Sequence, residues 1–108
     1  MGDLLLVEKD EKTRTLLKRI LGNSFRVDSA KTLEEGINKV GENCYRLVIT
    51  NLEFPNAAYG GRIIAEETRK KGGYVIGVGG SLPERLEEFD EFYPEWDRSF
   101  LEIQEWSA

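Results

Sequence analysis

Histidine is absent from the 108-residue chain. That removes imidazole general bases, Ser/His and Cys/His nucleophile pairs and His-containing zinc sites. Cysteine is nearly absent as well. The single thiol, Cys44, has no internal disulfide partner, and a small domain without such staples is expected in the reducing cytoplasm. With no second thiol or histidine to activate it, Cys44 is expected to be packed or incidental rather than reactive. Long apolar runs are missing too, and Asp3 and Glu8 flank the first short one, so neither a secretory signal nor a membrane anchor is expected. Basic charge is in deficit, 15 Lys+Arg against 20 Asp+Glu for a formal net charge of -5. Such a balance argues against wrapping nucleic acid, where phosphate neutralisation supplies much of the affinity. No internal repeat, low-complexity run or linker interrupts the chain.

What is present fits one ordinary domain. A composition of 40% hydrophobic and 32% charged residues supports a single core over residues 1–108. Leu4-Leu5-Leu6-Val7, Leu47-Val48-Ile49-Thr50 and Tyr74-Val75-Ile76-Gly77-Val78 are short continuous apolar runs, as expected of strands buried on both faces. Phe25-Arg26-Val27 and Phe92-Tyr93 suggest two further strands. Between them lie helical stripes. Leu16, Leu17, Ile20 and Leu21 form one, closed by Gly22. Leu33, Ile37 and Val40 form the next, opened by a Thr32/Glu35 capping box. Ile63 and Ile64 mark a third, Leu82, Leu86 and Phe89 a short fourth, and Trp96, Phe100, Ile103 and Trp106 a last. Strand and helix alternate five times, which predicts a parallel sheet with helices on both faces and right-handed crossovers. In such sheets the functional crevice lies beyond the carboxyl ends of the strands. That singles out Glu8-Lys9-Asp10, Asn51, Gly79-Gly80 and Pro94-Glu95.

Three regions carry a resemblance. Leu5-Leu6-Val7-Glu8-Lys9-Asp10 with Thr13-Arg14-Thr15-Leu16-Leu17, and Leu47-Val48-Ile49-Thr50-Asn51-Leu52-Glu53-Phe54-Pro55, resemble the first strand and turn and the phosphoacceptor strand of response-regulator receiver domains; Phe89-Asp90-Glu91-Phe92-Tyr93 is similar to the family's approach to its last strand. The likeness spans essentially the whole chain. It implies the CheY-like, flavodoxin-like fold, a (βα)5 doubly wound parallel sheet in strand order 2-1-3-4-5. Only 16 residues take Gly79 to Glu95. That is about six fewer than the family usually has, more than one helical turn, so the fourth helix is expected to be shortened or irregular.

Receiver domains phosphorylate an aspartate with the help of a hydroxyl, a lysine and a magnesium ion, the ion being held by an acidic pair. Carried over by position, Asn51 stands at the phosphoacceptor, Glu8 and Lys9 at the acidic pair, Gly79 at the hydroxyl and Glu95 at the lysine. An amide lacks the anionic nucleophilicity of a carboxylate, and Lys9 puts a cation where a divalent metal needs an anionic oxygen. The resemblance therefore implies a pseudo-receiver, with no metal, no cofactor and no catalysis. Lys9 and Glu95 have exchanged charge between them, so they either pair across the pocket or both face solvent. Phe92 falls at the switch-aromatic position without a phenolic hydroxyl, and is expected to act as strand filling.

Charge gathers at the end of the chain. From Glu84 to Ala108 nine acids face two arginines, a net of -7, whereas the rest of the chain carries +2. This is either a solvated face or a docking surface for a basic protein partner. Its candidate residues are Glu87, Glu88, Glu91, Tyr93 and Trp96, with Trp106 as a further candidate anchor. The leading expectation is a signalling or adaptor domain acting through protein contact, monomeric or weakly dimeric, independently of aspartyl phosphorylation and magnesium. An alternative is a binder of a small anionic metabolite through Lys9, Asn51 and the Gly79-Gly80 amides. A more remote one is phosphotransfer through Asp10 or Glu53. Gly77-Val78-Gly79-Gly80-Ser81 lacks the Lys-Thr/Ser ending of a phosphate loop.

Overall fold

The computed structural model describes residues 2–79 and 87–93. Five strands, β1 (Leu4–Val7), β2 (Val27–Ala30), β3 (Leu47–Asn51), β4 (Tyr74–Val78) and β5 (Glu91–Tyr93), form one sheet in the order β2-β1-β3-β4-β5. All neighbours are parallel: Leu5 lies opposite Asp28 on one side and Val48 on the other, and Val48 opposite Val75. Helices α1 (Glu11–Leu21), α2 (Leu33–Glu42) and α3 (Gly61–Lys70) make the crossovers. The topology is the doubly wound order 2-1-3-4-5.

Period-two alternation divides the core in two. Leu4 and Leu6 point with Leu47, Ile49, Ile76 and Val78 toward Leu17 and Leu21 of α1. Leu5 and Val7 point with Val48 and Val75 toward Val40 of α2 and Ile64 and Ala65 of α3. β1 is buried along its whole length because it has a paired strand on each edge and a helical layer on each face. Full burial of each such aliphatic side chain contributes about 1.5–3 kcal/mol.

The caps follow the sequence. Asp10 opens α1, its Oδ2 accepting from the Thr13 N–H at 2.9 Å and hydroxyl at 2.6 Å. Thr32 opens α2 by accepting from the Glu35 N–H at 3.1 Å.

Three local expectations are corrected. The second strand is Val27–Ala30 rather than Phe25-Arg26-Val27. Phe25 is a buried plug below α1, and the edge strand itself is the polar Val-Asp-Ser-Ala. Leu16 and Ile63 are not buried with their helical neighbours but exposed, at 52% and 53%. Phe89 lies in irregular backbone after a turn at residues 87–88 rather than in the expected fourth helix, and is nonetheless buried. The remainder of that helix, and the last helix with Trp96, Phe100, Ile103 and Trp106, lie outside the described residues. Cys44 is exposed.

Candidate functional site

Three strand ends meet at the carboxyl edge of the sheet. β1 delivers Glu8 and Lys9 just beyond Val7, β3 ends on Asn51, and β4 is followed by Gly79. The Glu8 N–H still pairs with the Ala30 carbonyl at 3.0 Å, so Glu8 is held by the sheet although it lies past the strand. Glu8 and Asn51 are 3% and 5% exposed.

Their side chains meet. Asn51 Nδ2 donates to Glu8 Oε1 at 2.8 Å, and Asn51 Oδ1 accepts from the Lys9 backbone N–H at 2.9 Å. The second Glu8 oxygen, Oε2, accepts from the Asp10 N–H at 2.8 Å. Lys9 Nζ turns back over the turn after β3 and donates to the Glu53 carbonyl at 2.7 Å. Arg14 Nη1 donates to the Glu8 carbonyl at 2.9 Å. A carboxamide offers both donor and acceptor, so one side chain satisfies the Glu8 anion and the Lys9 amide together; a carboxylate at 51 offers acceptors alone. Among the described residues no buried side-chain nitrogen or oxygen lacks a partner.

These residues do not fit a magnesium ion. Mg2+ is held by hard anionic oxygens in near-octahedral geometry. Here both Glu8 oxygens take N–H donors, the adjacent side chain is an ammonium, and the described residues include no cluster of three acids or other ligands suited to a metal. Asp10 is occupied as a helix cap: the Thr13 hydroxyl, then its N–H, hold the Asp10 carboxyl below the usual range.

Gly79 has φ +90° and donates its N–H to the Tyr93 carbonyl at 2.9 Å. A side chain there has room, but a hydroxyl-bearing residue is strained in that backbone conformation. Phe92 is half-buried and meets Phe89 edge to face, ring centroids 5.7 Å apart at 73°. It packs on the α2/α3 side of the core. Glu95 and Trp96 lie outside the described residues, and so does the Lys9–Glu95 pairing.

The acidic face is partly turned inward. Glu88 pairs with Arg62, whose Nε is 3.1 Å away with Nη2 in closer contact, and the guanidinium holds the Glu88 carboxyl below its usual range. Asp90 Oδ2 accepts from the Val75 N–H at 2.8 Å. Glu91 takes the Tyr74 hydroxyl on one oxygen and the Tyr93 hydroxyl on the other, each at 2.6 Å. Glu87 is exposed, its carbonyl receiving the Arg69 guanidinium. Sequence reasoning found Glu8, Lys9, Asn51 and Gly79 by their position after strands. It named Glu53 only for its carboxylate, and did not anticipate the Lys9 contact to the Glu53 carbonyl or the Arg14 contact to the Glu8 carbonyl, since main-chain oxygens leave no residue-type signal; it also missed the tyrosine clamp on Glu91.

No family model matches the chain, and no curated protein matches it. Solved structures do. The response regulator protein TrrA from Thermotoga maritima, in complex with Mg2+-BeF, is 28% identical with a TM-score of 0.77, over 97% of this chain and 95% of that one. CheY-like receiver domains from Methylobacillus flagellatus (23% identity, TM-score 0.76, 97% of each chain) and Methanospirillum hungatei (20%, 0.74, 97% of each) superpose similarly. With this strand order and these neighbours, the chain has the fold of the CheY-like response-regulator receiver domain.

Proposed function

We propose that this chain is a receiver-fold signalling or adaptor domain that works through protein contact, without aspartyl phosphorylation and without magnesium. One observation carries the reading: Asn51, at the end of β3, spends its amide on the buried Glu8 carboxylate. The side chain that receives a phosphoryl group in receiver domains is thus replaced by a weakly nucleophilic amide already bonded on both its atoms. The Thermotoga maritima regulator with the same fold was solved with Mg2+-BeF; here Lys9 and Gly79 supply neither a second acid nor a hydroxyl.

The metabolite-binding alternative is less well supported. It relies on Lys9, Asn51 and the Gly79-Gly80 amides; Lys9, Asn51 and Gly79 are engaged inside the protein, and Gly80 lies outside the described residues. Phosphotransfer through Asp10 meets the same objection, since that carboxylate caps α1. Incubation with acetyl phosphate and Mg2+, read by intact mass, tests the reading. No phosphate adduct is expected; an adduct at any carboxylate overturns it.

A further inference from the structure

Lys9 holds the end of β3 and the start of its connection to α3. Its main-chain N–H holds Asn51 Oδ1 at 2.9 Å, and its ammonium holds the Glu53 carbonyl at 2.7 Å. Beside these contacts lies a buried carboxylate, Glu8, whose oxygens are steadied by N–H donors of Asn51 and Asp10. A carbonyl oxygen next to a buried acid is the kind of surface on which a hard divalent cation would otherwise settle. A cation arriving there must displace the ammonium from Glu53 and, until it does, is repelled by it.

The geometry points to Lys9 as a tethered cation, its ammonium standing on the Glu53 carbonyl in place of a bound divalent ion and excluding such ions from the Glu8 pocket. The connection between β3 and α3 is then held in one arrangement whatever the ambient divalent concentration. This inference rests on the reading of the pocket as one that takes no phosphoryl group. A phosphate adduct formed from acetyl phosphate overturns that reading and leaves the comparison below intact.

Two variants of equal acid count isolate the ammonium. Asn51→Asp adds a carboxylate beside Glu8 and keeps Lys9; Lys9→Met with Asn51→Asp has the same two acids and no ammonium. Mn2+ is added to each and to the unaltered chain, with free ion read by electron paramagnetic resonance and folding by circular dichroism. The double variant is expected to bind Mn2+ at least about ten-fold more tightly than Asn51→Asp, with the unaltered chain leaving the ion free. Equal binding by the two variants overturns the inference, as does failure of both folded variants to bind. Lys9→Met alone supplies a second measurement that introduces no new acid. The Phe54 and Ala57 amides, each bonded to the other residue's carbonyl at 3.1 and 2.9 Å in this connection, are expected to exchange hydrogen several-fold faster. Unchanged exchange overturns the inference too.

Discussion

The Asn51 carboxamide donates to Glu8 across 2.8 Å, with both side chains almost wholly buried. A buried carboxylate without donors is costly, and here neutral N–H groups of Asn51 and Asp10 meet both oxygens. The hydrogen bonds that join the end of β1 to the end of β3 are therefore a stability element.

Asn51→Asp reverses that arrangement. Two carboxylates then face each other at hydrogen-bond distance, and one must take up a proton or the pair must separate. The variant is expected to lose about 2–4 kcal/mol at neutral pH. In the folded variant one carboxyl of the pair titrates above its unfolded value, near pH 4. Its proton is held more tightly folded than unfolded, so the penalty is full at neutral pH and shrinks as pH falls through that raised value. Urea unfolding of both proteins at a series of pH values measures the difference; a deficit constant down to about pH 4 would refute the argument.

How far the sequence carried this picture differs from element to element. β1, β3 and β4 were legible because a strand covered on both faces is mostly apolar, and these each carry an apolar run. β2 was not, because an edge strand tolerates Asp28 and Ser29, while the strand-like Phe25 serves as a plug under α1. Leu16 and Ile63 fitted helical periodicity, but the buried stripe of each helix is narrower than its apolar pattern. At the site, the rule that function gathers beyond strand ends placed Glu8, Lys9, Asn51 and Gly79 correctly on one edge. What Lys9 touches was illegible, since a carbonyl such as that of Glu53 belongs to every residue type. The acidic terminal segment looked like free surface charge because Arg62, Tyr74 and the Val75 amide, which engage Glu88, Glu91 and Asp90, come from other elements.

Gly77 sets how closely the β5 segment packs on β4. A Cβ at this position would stand 2.6 Å from two ring carbons of Phe89 and 2.8 Å from Phe92. Gly77→Val is therefore expected to destabilise the chain by about 1–3 kcal/mol through overpacking. Adding Phe89→Leu to Gly77→Val should restore part of the loss, because the smaller side chain vacates the contested space. A double-mutant cycle by urea unfolding reads this coupling. Strict additivity of the two substitutions would mean that the rings do not limit this position.

Two phenols should make the protein sensitive to alkali. Tyr45 is pushed well above its usual range by burial and by donating to Asp28 Oδ2 at 2.7 Å. Tyr74 is pushed up likewise, by burial and by its bond to Glu91. A pKa raised on folding means that the folded state holds its proton more tightly. The contribution is therefore complete below the unfolded value, near pH 10, and is lost progressively as pH rises beyond it. Unfolding free energy is expected to fall steeply above about pH 10, with these two phenolate signals appearing only as native circular dichroism is lost. Tyr45→Phe should cost about 1 kcal/mol at neutral pH through the lost hydrogen bond, yet flatten the alkaline decline, because one raised group has been removed. Full phenolate absorbance in a chain that retains its native spectrum would show that neither hydroxyl is held as described.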